Sequence, residues 1–218
     1  MDKLFGYPVV KYKINPDNYN KEEIINTILY NYEIDKERNN WDPNSNLHHS
    51  IDDELNDNFK TPNYSILEKI YLDMSKQYVK SLNINNQIKI KIINYSVVEK
   101  NNHMDPHVHA HADFVGSHYI SFDSQNHQPT LFINPSDSIF TYARVIKPEL
   151  HKKFLNQNSS LNSWMLPAFT YPAVEDDVLI WPSLLKHGIH KQTNESTKKR
   201  ISIAWNIYIN ESIYRKYF

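Results

Sequence analysis

The hydrophobic pattern of this chain changes at Gln87, and this change constrains the fold more than any other feature. From Ile88 to Ile92, isoleucines alternate with Lys89 and Lys91, which is the two-residue period of a strand with one buried face. Four further β-branched and aromatic segments follow, at 117–122, 130–134, 178–181 and 201–209. Such a series of short strands, separated by turn-forming residues, predicts a double-sheet jelly roll.

Before residue 87 the chain has the pattern of helices. Apolar residues recur at helical spacing from Lys21 to about Asp35 and again from Tyr64 to Leu82. Thr61 is placed to cap the second helix, with Pro62 at its first position. The stretch from Leu4 to Ile14 is instead typical of a strand. We therefore expect a mainly β, α+β protein whose N-terminal helices pack outside the jelly roll.

The chain has the length of one well-cored domain. It has 218 residues, with no internal repeat and no linker-like segment. We expect a single domain over residues 1–218, with residues 1–86 as its helical N-terminal part. Residues 151–163 should form a short helix or loop over one end. The polar segments 39–60 and 136–172 should build the pocket for a substrate, because connecting segments commonly carry binding residues.

Composition limits the chemistry. The chain has no cysteine, which excludes disulfides, thiolate zinc sites and iron–sulfur clusters, so any metal must be held by histidine and carboxylate. The net charge of -1 gives no indication of nucleic-acid binding. We find neither a signal-peptide pattern nor a stretch of about 18 apolar residues that could span a membrane. These features predict a cytoplasmic protein.

The stretch from His103 to Asp113 has the composition of a metal site, with four histidines and two carboxylates. Side chains at i and i+2 of a strand project from the same face, so His107 and His109 can present two imidazoles to one point. His187 is the candidate for a distant third ligand, because it follows the strand at 178–181. Two adjacent ligands and a distant one form a facial arrangement, which is typical of non-haem Fe(II) oxygenases.

Other ligand choices remain open. Two further pairs in the same stretch would bring a carboxylate to the metal: His103 with Asp105, and His111 with Asp113. His190 competes with His187 as the distant ligand. If they are not ligands, His103, His111 and His118 are expected beside the site or in solvent. His48 and His49 lie in a polar segment, and we interpret them as a solvated surface pair.

Arg200 and Ser202 project from one face of the last strand if that strand is regular. A guanidinium can hold a carboxylate with two parallel hydrogen bonds, and an adjacent hydroxyl can add a third. This pair therefore predicts an anchor for the far end of a dicarboxylate co-substrate. Tyr119 and Trp205 are candidates for lining the same cavity, although aromatic residues on strands more commonly belong to the core.

At these residues the sequence resembles the 2-oxoglutarate- and Fe(II)-dependent oxygenases that are common in marine bacteria and their phages. The similar segments are Pro106-His107-Val-His109 with Gly116-Ser-His-Tyr-Ile, Trp181-Pro-Ser-Leu-Leu-Lys-His187-Gly, and Arg200-Ile-Ser-Ile-Ala-Trp-Asn206. The resemblance implies a double-stranded β-helix, which is a jelly roll. It also implies that His107, His109 and His187 bind Fe(II), and that Arg200 and Ser202 bind 2-oxoglutarate.

The implied activity is a coupled oxidation. Molecular oxygen and 2-oxoglutarate are consumed, succinate and carbon dioxide are released, and a small-molecule or side-chain substrate is usually hydroxylated. The implied location is the cytoplasm of a bacterium or of a phage-infected host, and the external helix faces suggest a homodimer. Three neutral imidazoles leave the iron charge uncompensated until the 2-oxoglutarate dianion binds, so metal affinity should depend on the co-substrate.

Two other functions fit parts of the pattern. A cupin-type metalloenzyme that does not use 2-oxoglutarate also combines His-x-His with a later histidine, but it has no role for Arg200 and Ser202. A non-catalytic jelly-roll binding or structural module could hold zinc at the histidines, or no metal. Iron-dependent turnover of 2-oxoglutarate separates these alternatives.

Overall fold

The structure is a computed structural model that describes residues 2–36, 44–50, 58–136, 145 and 166–209. In these ranges the chain forms two α-helices, α1 (Lys21–Ile34) and α2 (Ser65–Ser81), and a 3-10 turn at Pro16–Asn18. The strands are β1 (Asp2–Leu4), β2 (Tyr7–Lys13), β3 (His48–His49), β4 (Ile88–Val98), β5 (Met104–His107), β6 (Phe114–Ser121), β7 (Thr130–Ile133), β8 (Ala168–Thr170), β9 (Asp177–Pro182), β10 (His187–Ile189) and β11 (Arg200–Ile209).

The strands form two antiparallel sheets that face each other. The larger sheet has the order β1-β2-β9-β6-β11-β4-β3, and the smaller has the order β5-β10-β7-β8. Several strands that are distant in sequence are neighbours, as when β11 lies between β4 and β6. This is the double-stranded β-helix architecture, which confirms the predicted mainly β fold with helices outside it.

The larger sheet separates two apolar layers. Along β6, Phe114 and Ile120 face α1 and α2 and belong to an outer core, whereas Val115 and Tyr119 face the smaller sheet and belong to an inner core. Side chains also alternate between the two faces along β11, and the outer core contains Ile201, Ile203, Trp205 and Ile207. The even-numbered residues of β11 therefore point between the sheets, where the site lies.

The predicted first strand is in fact a hairpin. β1 and β2 are joined by a two-residue turn, with Leu4 paired to Tyr7. Phe5 and Gly6 both have positive φ, at 53° and 86°, as the tight hairpin turn of this hand requires. Only glycine adopts such angles readily, so Gly6 was the signal for the turn.

Helix α2 begins at Ser65, so the predicted cap at Thr61 is wrong. The segment before the helix is held extended by α1, because the Asn31 side chain bonds both the backbone N–H and the C=O of Lys60. The N-cap residue is Tyr64, whose side chain forms no capping hydrogen bond, and Asn63 Oδ1 before it accepts a hydrogen bond from the Ser65 N–H (3.3 Å). A tertiary contact therefore shifts the start of the helix by one turn.

The first 86 residues do not form a purely helical part. They also supply β1, β2 and β3 to the larger sheet. β3 contains His48 and His49, and our interpretation of these residues as a solvated pair is wrong, because both side chains are buried. His48 lies on the helix side and stacks on Tyr95. His49 lies on the opposite face, between the sheets.

A buried polar cluster attaches the helices to the larger sheet. Asp176 accepts hydrogen bonds from the Tyr19 hydroxyl (2.8 Å) and from the Lys21 ammonium (2.7 Å). His118 lies 3.6 Å from the same carboxylate, and its Nδ1 contacts the Tyr71 hydroxyl at 2.8 Å. His118 is therefore a core residue behind the sheet, neither solvated nor beside the predicted metal site.

Some predictions fall outside the described residues. These are the helix or loop at 151–163 and most of the loops 39–60 and 136–172 that were expected to line a substrate pocket. Neither of the two described α-helices is long and apolar enough to cross a membrane.

The contact between Gly116 and Trp205 gives a test of the outer core. A Cβ at Gly116 would lie 2.1 Å from Cε2 and Cζ2 of the Trp205 indole, which stacks on Tyr71 with ring centroids 3.9 Å apart. Because the indole is clamped, we expect Gly116→Ala to lower the free energy of unfolding by about 1–3 kcal/mol, measured by urea denaturation.

The matched control is the double variant Gly116→Ala with Trp205→Phe. The smaller ring leaves room for the methyl group, so the two substitutions should destabilise less together than the sum of their separate effects. Simple additivity would show that the steric contact is not the cause.

Candidate metal and co-substrate site

Strand pairing in the smaller sheet brings two of the predicted ligands together. His107 ends β5 and His187 begins β10, and the two residues are direct partners in the antiparallel ladder. The strands approach closely at the next residue, where a Cβ on Gly188 would lie 2.6 Å from the Met104 carbonyl oxygen. Glycine at this position therefore permits the pairing that places His107 beside His187.

His109 reaches the same point from a loop, so the prediction that it shares a strand with His107 is wrong. β5 ends at His107, and the chain then turns. The His109 backbone N–H donates to the Ser183 carbonyl (3.0 Å), and its Nδ1 lies 2.8 Å from Asn206 Oδ1 on β11. Because β9 ends at Pro182 and both β9 and β11 belong to the larger sheet, these two contacts fix His109 against the larger sheet.

The three imidazoles converge on one point. One ligand atom from each of His107, His109 and His187 lies within 4.8 Å of the other two. Among the residues that the structure describes, this is the only group of three or more histidine and carboxylate side chains with that geometry. The arrangement is compact enough for one metal ion.

Hydrogen bonds orient all three rings in the same sense, and for His187 we assign the Nδ1 proton from the shorter contact to a carbonyl oxygen, since the Trp181 indole N–H lies 3.3 Å from the same nitrogen. Each Nδ1 faces an oxygen acceptor: the Asp105 carbonyl for His107 (3.0 Å), Asn206 Oδ1 for His109 (2.8 Å) and the Leu185 carbonyl for His187 (2.9 Å). An Nδ1–H donated to each oxygen leaves the Nε2 lone pair available, which is how metal-binding histidines are commonly held.

Burial also favours the neutral imidazoles that a metal requires. The His187 side chain is buried, and burial lowers its pKa well below the usual value, with the His107 and His109 rings adding to the effect. Burial likewise lowers the pKa of His109. Protons therefore compete weakly for these nitrogens at neutral pH.

The alternative ligands do not join this group. The Asp105 side chain is half exposed and lies 3.9 Å from His103 Nε2, while Asp113 accepts a hydrogen bond from the Ile209 N–H (2.8 Å) at the end of β11. His111 and His190 are exposed. Of the predicted pairs, only His107 with His109 converges with a distant histidine.

Arg200 and Ser202 face the same cavity. The Arg200 side chain is 1% exposed, and its Nη1 donates to Ser202 Oγ (3.2 Å), while its Nε donates to the Gln128 carbonyl (3.1 Å). The guanidinium lies near the ring of Tyr119, with its carbon 5.3 Å from the ring centroid. Arg200 is therefore a core residue, although Lys198 and Lys199 precede it in the sequence.

We call the cavity between the sheets the inner chamber. Among the described residues its border includes the three histidines, Arg200 and Ser202, and it contains no aspartate or glutamate. None of the ion pairs among the described residues involves Arg200. A buried cation is unfavourable unless it is paired, so the chamber is suited to an anionic ligand.

His49 is the residue at the site that sequence reasoning missed. Its imidazole borders the inner chamber, although it lies in a segment with no hydrophobic period. Burial, together with nearby His107, His48 and His109, lowers the pKa of His49 to about 3. Of the two aromatic candidates, Tyr119 lies beside Arg200, and Trp205 packs against α2 in the outer core.

Comparison with known families agrees with this geometry. The model of the family described as "Putative 2OG-Fe(II) oxygenase" matches residues 94–206, which is more than half of the chain. The chain belongs to this family. It is therefore a 2-oxoglutarate- and Fe(II)-dependent oxygenase, and the matched region extends from β4 to β11, across all the residues of the inner chamber except His49.

Solved structures share the fold of this oxygenase at low identity. AviO1 from Streptomyces viridochromogenes has a TM-score of 0.53 at 13% identity, with 94% of this chain and 91% of that chain covered. The non-haem α-ketoglutarate-dependent epimerase SnoN from nogalamycin biosynthesis has a TM-score of 0.52 at 11% identity, with 94% and 81% covered. A prolyl-4-hydroxylase from Pseudomonas putida has a TM-score of 0.50 at 8% identity, with 95% and 96% covered. No curated protein sequence matches the chain.

The convergence of the three imidazoles generates a test of the metal site. We expect His187→Ala to weaken Fe(II) binding by more than about 100-fold, since loss of only an outer hydrogen-bond partner of a ligand already costs about 10- to 100-fold. Anaerobic calorimetric titration measures the affinity. His190→Ala is the matched control, because His190 is exposed and lies outside the triad; equal weakening in both variants would contradict the assignment.

Proposed function

We propose that this oxygenase hydroxylates its substrate at an iron held by His107, His109 and His187, with Arg200 and Ser202 holding 2-oxoglutarate. One observation carries the proposal: a buried guanidinium that forms no ion pair with a described carboxylate faces the same chamber as three inward-pointing imidazoles. The first feature requires an anion and the second a cation. A metal ion chelated by a dicarboxylate satisfies both.

The residues present fit the two groups. His107, His109 and His187 would hold the metal through one ring nitrogen each, and three protein ligands would leave positions for a bidentate co-substrate and oxygen. When bound, the iron and 2-oxoglutarate supply the oxygen activation, with decarboxylation to succinate and carbon dioxide.

The side chains of the chain supply position and charge. The Arg200 fork is held by the Gln128 carbonyl and by the Tyr119 ring, so that it is preorganised for two hydrogen bonds to one carboxylate. The Ser202 hydroxyl lies beside it and also contacts Ser96 Oγ (2.9 Å). Burial of the chamber excludes water, which strengthens each of these interactions.

The structure also bears on the two rival functions. A cupin-type enzyme without 2-oxoglutarate leaves the buried Arg200 without a ligand, and a non-catalytic module gives no reason for both a metal-type triad and a buried cation in one chamber. Both are less consistent with the site than the family assignment. A marine bacterial or phage source, a cytoplasmic location and a homodimer stay predictions.

The co-substrate role of Arg200 can be tested by spectroscopy. Anaerobic Fe(II) protein should develop the weak visible charge-transfer band of the ternary complex only when 2-oxoglutarate is added. Arg200→Ala should weaken 2-oxoglutarate binding by about 30-fold or more, as expected for removing one partner of a buried charged pair. Lys199→Ala is the control. If the band develops in Arg200→Ala at the same 2-oxoglutarate concentrations as in the unmodified protein, the assignment of Arg200 is contradicted.

The proposed metal ligands are three histidines with no carboxylate, and this predicts that metal and 2-oxoglutarate bind cooperatively. The metal and 2-oxoglutarate should raise each other's affinity by about 10- to 100-fold, because only the co-substrate neutralises the metal and binding linkage is reciprocal. Zn(II) titration with and without 2-oxoglutarate measures the factor. His109→Asp places a carboxylate at the metal and should reduce the coupling, whereas equal coupling in both proteins would show that the neutral ligands are not its cause.

A further inference from the structure

A second cavity adjoins the inner chamber, and its lining bears on the unidentified substrate. We call it the outer cleft. Its border consists of His107 and residues 108–111 of the loop after β5, together with His49, Ile93, Asn94 and Asn206. The volume is about 370 Å³, within the usual range for small-molecule sites. His49, Asn94, His107 and His109 border both cavities, so the cleft opens onto the proposed metal position.

His49 lies at the end of a polar row that starts at the co-substrate anchor. In the larger sheet His49 is paired with Ser96, and Ser96 is paired with Ser202. Directly paired residues share a face of an antiparallel sheet, and the two serine Oγ atoms are 2.9 Å apart. The row therefore runs from the Arg200 end of the inner chamber to the outer cleft.

Charge in the two cavities is unbalanced. Ferrous iron brings two positive charges and Arg200 brings one, while the 2-oxoglutarate dianion brings two negative charges. Three neutral imidazoles add none, so one positive charge remains. Among the described residues, neither the inner chamber nor the outer cleft is lined by aspartate or glutamate. In a low-dielectric cavity this excess favours a ligand with negative charge.

We propose that the outer cleft binds the primary substrate through an anionic group, a carboxylate or a phosphate, and that His49 is the side chain that contacts this group. The inference rests on the proposed metal and co-substrate roles. An imidazole at neutral pH carries at least one N–H donor, and the side chain of His49 is 3% exposed, so the contact is made away from bulk water. Asn94 also borders both cavities, and its side-chain amide is a second N–H donor available in the proposal.

In this arrangement Arg200, at one end of the site, and the metal with His49, at the other end, have separate roles. Arg200 selects the dicarboxylate co-substrate deep in the chamber, and the remaining charge at the metal, with His49, selects the substrate nearer the surface. A cationic substrate is disfavoured, because it would approach a site that already has excess positive charge.

The test uses the full chain loaded with Zn(II) and N-oxalylglycine, an unreactive isostere of 2-oxoglutarate. The probes are matched pairs with the same carbon skeleton: carboxylic acids with their primary carboxamides, and phosphate monoesters with their parent alcohols. Saturation-transfer NMR measures their binding. We expect the anionic member of the binding pairs to bind at least about tenfold more tightly than the neutral member.

Two variants test the origin of this preference. His49→Leu should weaken binding of the anionic probes by more than it weakens binding of N-oxalylglycine, and His49→Gln, which keeps an N–H donor, should restore part of the loss. His109→Asp removes the excess charge and should reduce the preference for anions. His103→Leu is the matched control, because His103 lies outside both cavities.

The outcomes separate this inference from the proposed function. If N-oxalylglycine binds but the acids and phosphates bind no better than their neutral partners, or if no probe binds, the anionic substrate is excluded and the metal and co-substrate roles stand. Equal losses in His49→Leu and His103→Leu exclude His49. If N-oxalylglycine itself does not bind, the proposed function fails, and this inference fails with it.

Discussion

A buried guanidinium is the constraint on which the rest of the site depends. Arg200 is 1% exposed between two sheets, and among the described residues it forms no ion pair with a carboxylate, so this part of the fold holds a buried positive charge that is suited to an anionic ligand. The Gln128 carbonyl, the Ser202 hydroxyl and the Tyr119 ring fix its orientation. The protein thus holds an unfavourable charge in place because the site requires it.

The same strand that carries Arg200 also organises the metal side. Asn206, six residues further along β11, accepts the Nδ1–H of His109, while the odd-numbered residues of this strand anchor the helices on the opposite face. One strand therefore couples the proposed co-substrate anchor, an imidazole of the proposed metal site and the outer core. Movement of β11 would affect all three together.

Segments with a regular hydrophobic period were predictable from sequence, whereas features that depend on contacts between distant residues were not. The longer strands β2, β4, β6, β9 and β11, the short strand β7 and both helices follow from apolar spacing, whereas β3, β8 and β10 were not predicted. The convergence of His107 with His187 followed from the His-x-His and distant-histidine pattern. The start of α2 depends on Asn31 holding residue 60, and no local pattern encodes that contact. His49 was missed for the same reason: two strand residues between irregular segments have no period, and only pairing with β4 buries them.

The spacing of the triad along the chain has a further consequence for folding. His107 and His109 lie about eighty residues before His187, and β10 is only three residues long. A metal bound to all three is a removable cross-link between distant segments, and it closes a long loop of the unfolded chain. If iron binds at these three residues as proposed, the smaller sheet gains the most cohesion from it, and iron limitation would act on the stability of the protein as well as on its catalysis.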